Sequence, residues 1–153
     1  MPPIAACRPI AAPPEVAYAL LADLRTHWAL ADHWTEVRAI GTDGGTIRLR
    51  GPLGLRRTVR VRVRRRVPVR ELEGIAELGP STRADVSWSL EPDGGGGTLV
   101  TLSAQVLRAG LCDRLLLALG ARRWLAWRFA VTLDRLDNAV RSEEEAHERV
   151  SAK

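Results

Sequence analysis

Lysine is almost absent from this chain of 153 residues: Lys153 is the only one, so every other cation is an arginine. In a sequence also rich in alanine and glycine, that bias reads as GC-rich coding. The net charge of +5 and the pI of about 10.4 therefore need no phosphate-binding explanation. Cysteine is scarce too. Cys7 and Cys112 lie far apart and neither has a partner at zinc or redox spacing, so both read as small apolar residues and no metal ligand set is expected. The first twenty residues lack a basic segment leading into a long apolar run and carry Pro2, Pro3, Pro13, Pro14 and Glu15 instead. Neither a signal peptide nor a transmembrane segment is expected, and the reading is of a cytoplasmic protein.

What is present is periodicity. Pro3 to Ile10 suits an opening strand, and Pro13-Pro14-Glu15 suits a helix start, with proline in the first turn and an acid at the positive end of the dipole. Val16, Leu20 and Leu21 form the apolar stripe of that helix. Asp23 can cap a second short helix through about Ala31. His33 to Ile40 then reads as strand, and Gly41-Thr42-Asp43-Gly44-Gly45 has hairpin chemistry. Thr46 to Arg50 alternates, and Gly51-Pro52-Leu53-Gly54 is the next turn.

The clearest signal is Thr58-Val59-Arg60-Val61-Arg62-Val63-Arg64, where period two puts the valines on one sheet face and the arginines on the other. With a turn at Val67-Pro68, Arg60, Arg62 and Arg64 face Glu71, Glu73 and Glu77 as opposite-charge cross-strand pairs, each contributing roughly 0.2–1 kcal/mol. Ala84 to Leu90 alternates again, with Val86, Trp88 and Leu90 on the dry side and Asp85 on the wet one. Asp93 and Gly94 to Gly97 form a hairpin loop. The last strand, Leu99 to Val106, turns Val100, Leu102, Ala104 and Val106 to the dry face.

From Leu111 the pattern is helical, interrupted at Gly120, where a kink or break is expected. A long stretch follows with Trp124, Leu125, Trp127, Phe129, Val131, Leu133, Leu136 and Val140. Glu143-Glu144-Glu145 sits poorly near the negative end of a helix dipole, so order is expected to fade there. The division that results is one domain over residues 1–141 and a polar tail over 142–153.

Strand, two short helices, six antiparallel strands and one long helix make an α+β order. A one-faced antiparallel sheet needs a cover for its dry side, and the terminal helix is the only element long and apolar enough to supply it. The order resembles the START-like (SRPBCC) superfamily, and within it the bacterial polyketide cyclase/dehydrase and lipid-transport-like group. The resemblance is carried by Ile10-Ala11-Ala12-Pro13-Pro14-Glu15-Val16-Ala17-Tyr18-Ala19-Leu20-Leu21-Ala22-Asp23, by Trp34 ahead of the second strand, and by Leu133-Asp134-Arg135-Leu136 near the end of the last helix. It implies the helix-grip fold, a curved sheet of about seven strands wrapped around the C-terminal helix, with a ligand between the two.

On that implication the expected ligand-binding residues are Trp28, Trp34, Leu49, Val61, Leu72, Gly74, Val86, Trp88, Trp124, Trp127 and Val131. None of them ionises, which suits a small hydrophobic or aromatic molecule. A cyclase or hydrolase would want an acid, base or nucleophile among them. The alternation supplies none, and only His27 and His33, flanking Trp28 and Trp34, are candidates to titrate nearby. Tyr18, the sole tyrosine, either packs or orients a ligand. Asp134 and Arg135 read as a solvated helix face. No catalytic residue, metal or cofactor is assigned.

Arg48 to Arg70 holds ten arginines and no acid. Contact with RNA, a ribosome or another polyanion would use that charge. The segment lacks the aromatic residues that stack single-stranded bases, and neutralisation by Glu71, Glu73 and Glu77 is the plainer account. The expected function is non-enzymatic binding or carriage of a small hydrophobic ligand, with a cyclase/aromatase-type enzyme and a polyanion-binding module as the alternatives. Oligomeric state is not legible.

Overall fold

The structure, a computed structural model, describes residues 1–30 and 34–153. Seven strands make one antiparallel sheet: β1 (Ile4–Ile10), β2 (Thr35–Ile40), β3 (Gly44–Arg50), β4 (Arg56–Val67), β5 (Glu71–Leu78), β6 (Thr82–Pro92) and β7 (Thr98–Arg108). Their order across the sheet is β1-β7-β6-β5-β4-β3-β2. Strands β2 to β7 follow one another as hairpins, and only β1 travels, crossing to pair with β7. Two short helices, α1 (Pro14–Ala22) and α2 (Leu24–Ala29), fill that crossing. Asp23 separates them, its carboxylate accepting from the Arg25 backbone N–H at 3.0 Å, an N-cap on α2.

After β7 the chain is helical to its end: α3 (Leu111–Leu116), a π-turn (Leu117–Ala121) and α4 (Arg122–Ser151). Gly120 takes φ 119° within the π-turn, a conformation open to glycine and costly to other residues, so the expected interruption falls where the sequence puts it. Leu133, Leu136, Asp137 and Val140 are buried at helical spacing on α4. Leu133, Leu136 and Val140 pack with Ile10, Leu20, Leu21, Trp88, Val100 and Leu102 in the main core. Each buried leucine or valine side chain contributes roughly 1.5–3 kcal/mol.

The two sheet faces follow the alternation. Ile47 pairs with Val59, Val61 with Ala76, Val63 with Gly74, Leu72 with Trp88, and Trp88 with Leu102, which gathers the apolar set on the inner face beside the helices. Thr101, Ser103 and Gln105 lie outside, where the Ser87 and Ser103 hydroxyls meet at 2.8 Å.

Two expectations are corrected. The charge register between β4 and β5 holds only in part, because a bulge lies between Val63 and Arg65. Arg60 faces Glu77 as expected, but Arg62 faces Ile75, Arg64 falls in the bulge, and Arg65 takes the place opposite Glu73. The bulge adds one residue and switches the pairing parity beyond it. Arg64 reaches Asp85 at 3.6 Å, and Arg65 reaches Glu71 at 3.7 Å. Glu73 hydrogen-bonds Glu71, which raises its pKa against the pull of Arg65 and Arg64.

The second correction concerns the tail. Order does not fade at Glu143: α4 runs on to Ser151. Asp137, Arg141, Glu145 and Arg149 follow at four-residue steps with alternating sign, the spacing that supports an exposed helix, and this offsets the acids near its end.

Candidate functional site

The inner face of the sheet and the helices opposite it form the candidate site. The backbone of α4 packs on β1, α1 and β7, so the helix covers one side of the inner face closely, and side chains bridge the rest. Ile47, Val59 and Ala76 are buried there, with Trp28, Leu49, Val61, Leu78 and Val86 packed on them and still partly exposed. Val86 also touches the main core, as does Val63, so the two clusters adjoin. The sole phenylalanine, Phe129, packs against the main core and against the group of Ile4, Ala109 and Leu117 under α3.

The expected lining residues therefore divide. Trp28, Leu49, Val61 and Val86 come together with part of their surface open. Leu72 and Trp88 are almost wholly buried and serve as core. Gly74 matters for what it leaves out, since a Cβ there would stand 2.9 Å from the Arg62 carbonyl oxygen, and the bare backbone of β5 lets β4 approach at the bulge. Val131 is partly buried on α4. Trp127 is 53% exposed and faces away from the interior, a correction to its expected place. It stands three residues after Trp124, just far enough round the helix to leave the shared face.

Trp34 and Trp124 do meet, edge to face, with ring centroids 6.2 Å apart. Between them lies Arg128, its guanidinium 5.9 Å from the centre of the Trp34 ring and 5.5 Å from that of Trp124. Arg128 also donates to the Thr35 hydroxyl at 3.2 Å. This cation–aromatic clasp joins α4 to the start of β2 on the far edge of the sheet.

His27 stands deeper than its place on a six-residue helix suggests. Its ring lies 5.0 Å from Trp28 and 5.4 Å, edge on, from Trp88. Nδ1 is 3.1 Å from the Leu21 carbonyl oxygen. A carbonyl only accepts, so Nδ1 carries the proton and Nε2 presents a lone pair, without a partner among the described residues. Burial pushes the His27 pKa below the ordinary histidine value and outweighs the Leu21 hydrogen bond, which pulls the other way. Beside it, the Trp28 indole N–H is buried with no hydrogen-bond partner among the described residues. His33 lies outside the described residues. Tyr18 is partly buried against the main core, in a packing role.

Charged groups missing from the expected lining also reach inward. Arg8 lies on the inner face of β1, in register with Val100, and binds Asp137 at 3.2 Å and Asp134 more closely. Asp134 is thus paired and not simply solvated, as its exposure alone would suggest. Arg57, on the same face of β4 as Val59, reaches Asp113 of α3 at 2.6 Å. The Thr82 hydroxyl donates to that same carboxylate oxygen and accepts from the Gly110 N–H at 3.1 Å. Parity along β1 and β4 was the available signal for both arginines.

A concavity of the described residues lies elsewhere. A trough of about 380 Å³ opens on the sheet beside Gly44, Gly45, Thr46, Arg60 and Arg62, where the glycines supply no side chains. A Cβ on Gly44 or Gly45 would stand 2.4 Å or 2.2 Å from the neighbouring strand's carbonyl oxygen, so strand packing explains both glycines. Among the described residues, no group of three or more histidine, cysteine and acidic side chains is placed to hold a metal. Among the described residues, no helix is long and apolar enough to cross a membrane.

A curved antiparallel sheet gripping a long C-terminal helix around an apolar interior defines the helix-grip class. Residues 1–141 match the family described as polyketide cyclase / dehydrase and lipid transport, and the chain belongs to that family. Among solved structures it is similar to TTHA0849 from Thermus thermophilus, with 21% identity over 93% of this chain and 99% of that one and a TM-score of 0.72. A protein from Arthrobacter aurescens has 14% identity, coverage of 92% and 86%, and a TM-score of 0.68. DynU16, a protein of the dynemicin biosynthetic locus, has 18% identity and a TM-score of 0.59; the match covers 92% of this chain and 48% of DynU16. At such identities the likeness shows the fold alone. No curated protein sequence matches the chain.

Proposed function

We propose that the chain binds a small hydrophobic molecule between the inner face of the sheet and its helices, and carries it without chemical change. The carrying observation is the buried Trp28 indole N–H, a donor without a partner among the described residues, set beside the partly exposed His27 ring. His27 Nε2 is an acceptor and Trp28 Nε1–H a donor, on adjacent rings beside Val61, Val86 and Leu49. A buried polar group left unpaired costs roughly 1–3 kcal/mol, which a ligand satisfying it returns as affinity. The preferred ligand has an apolar or aromatic body bearing a hydroxyl for His27 and a carbonyl or similar acceptor for Trp28. Family membership supports the same class of ligand.

Native mass spectrometry of gently purified protein, followed by organic extraction, tests this. A defined adduct of an apolar, oxygen-bearing molecule is the expected result. A clean apo mass together with no uptake of a hydrophobic fluorescent probe overturns the reading.

A second reading, a cyclase or aromatase-type enzyme, is favoured by the same imidazole, since a neutral histidine with a free Nε2 in an apolar setting is equipped as a general base. His27→Ala separates the two. Loss of turnover on a bound polyketide-like substrate with retained binding marks the enzyme, whereas a weakened adduct with no turnover in either form marks the carrier.

A further inference from the structure

One end of the molecule carries an apolar surface that the interior does not use. Leu53, in the β3–β4 connection, is fully exposed and sits at φ 60°, the left-handed region that branched residues avoid. Its strain is offset by no packing of its own side chain. Leu55 follows, also exposed. On α3 and the π-turn, Leu111, Leu115 and Leu119 are 60–83% exposed and recur every four residues, which aligns them in one stripe. The Arg57–Asp113 ion pair ties the start of β4 to α3, so loop and stripe sit at the same end of the fold.

The charge around these leucines has one sign. Arg56 adjoins Leu55, Arg114 lies on α3, and Arg123 stands one turn beyond Leu119; all three are exposed, and none has an ion-pair partner among the described residues. Asp113, the only acid between Gly110 and Arg128, is already taken by Arg57. We infer that this end docks onto an anionic lipid surface, with Leu53 and the α3 leucines entering the boundary layer and the arginines meeting lipid headgroups. Charge complementarity selects this occupant. A second copy would bring arginine against arginine, and a nucleic acid would leave the leucines unused. The inference stands whether or not the interior holds a ligand.

Co-sedimentation of the full chain with vesicles of phosphatidylcholine containing a minority of phosphatidylglycerol tests it, against vesicles of phosphatidylcholine alone. Binding to the anionic vesicles is expected, weakened by salt. Because both side chains are exposed, Leu53→Asp with Leu115→Asp should keep the native circular dichroism spectrum and lower vesicle affinity by roughly tenfold or more. Three results overturn the inference: no binding to either vesicle; binding indifferent to the two substitutions; or a concentration-dependent dimer that the same substitutions abolish, which would assign the patch to self-association.

Discussion

Arg8 and Asp137 stand 129 residues apart in sequence and 3.2 Å apart in space. The arginine comes from the inner face of the first strand and the carboxylate from the buried face of the last helix. Arg141 approaches the same Asp137 oxygen at 3.3 Å from the next turn. Asp137 is 3% exposed and its other oxygen has no hydrogen-bond partner among the described residues, so the carboxylate depends on these two cations.

Asp137→Ala and Arg8→Ala should therefore differ in size. Removing the aspartate leaves Arg8, whose side chain is partly exposed, free to turn to water. Removing Arg8 leaves a buried anion with Arg141 alone. Arg8→Ala is expected to cost about 2 kcal/mol or more, and Asp137→Ala less. Urea denaturation of both variants and of the double variant checks the order and yields the coupling between them.

The clasp of Trp34, Arg128 and Trp124 makes a local prediction. Arg128→Ala should cost about 1–2 kcal/mol through lost cation–aromatic and hydrogen-bond contacts. The disturbance should appear first in β2. Faster amide hydrogen exchange over Thr35–Ile40, with protection of β6 and β7 unchanged, is the expected pattern; uniform loss across the sheet would contradict it.

Gly74→Ala should destabilise the chain although it fills no visible space. The added methyl would stand 2.9 Å from the Arg62 carbonyl oxygen, and backbone must move to admit it. A loss of about 1–3 kcal/mol follows if β4 gives way at its bulge. Thermal unfolding measures it, and an unchanged midpoint would mean that the strands separate freely there.

His27 predicts a pH dependence of stability. Its pKa is lowered in the fold from 6.5, so above that value it is neutral both folded and unfolded and contributes no slope. As pH falls below about 6.5, the unfolded chain takes up a proton that the folded one resists, and stability declines towards the folded pKa. His27→Gln should flatten this decline. Denaturation midpoints of the two proteins between pH 5.5 and 7.5, an interval set around the ordinary histidine value of about 6.5, should converge at the upper end and diverge at the lower. Parallel curves would count against the enclosed imidazole.

Period-two alternation from Thr58 to Arg64 and from Ala84 to Leu90 made the sheet and its dry face legible, and Gly120 marked the break between α3 and α4. Other features had no local signal. The β4 bulge inserts one residue into a run of arginines, where any register looks equally charged. Arg8 and Arg57 carried the right parity, but a charged side chain on the inner face makes physical sense only when its partners, Asp137 and Asp113, are known to stand opposite. His27 was visible as a candidate, yet a helix of six residues is too short for periodicity to show which face is inward. Trp127 was misplaced for a related reason, since three residues round a helix from Trp124 is close enough to share a stripe and far enough to leave it.

The sheet order also bears on how the chain acquires its fold. β1 is made first, but its partner β7 ends at Arg108, and the helix residues that cover its inner face extend to Val140. During synthesis the opening strand therefore has nothing to pair with until about two-thirds of the chain exists, while β2 to β7 can zip in sequence as neighbouring hairpins. Closure of the core is a late, long-range event. Shortening α4 to end before Leu133 should leave a chain that keeps hairpin structure but cannot bury its dry face.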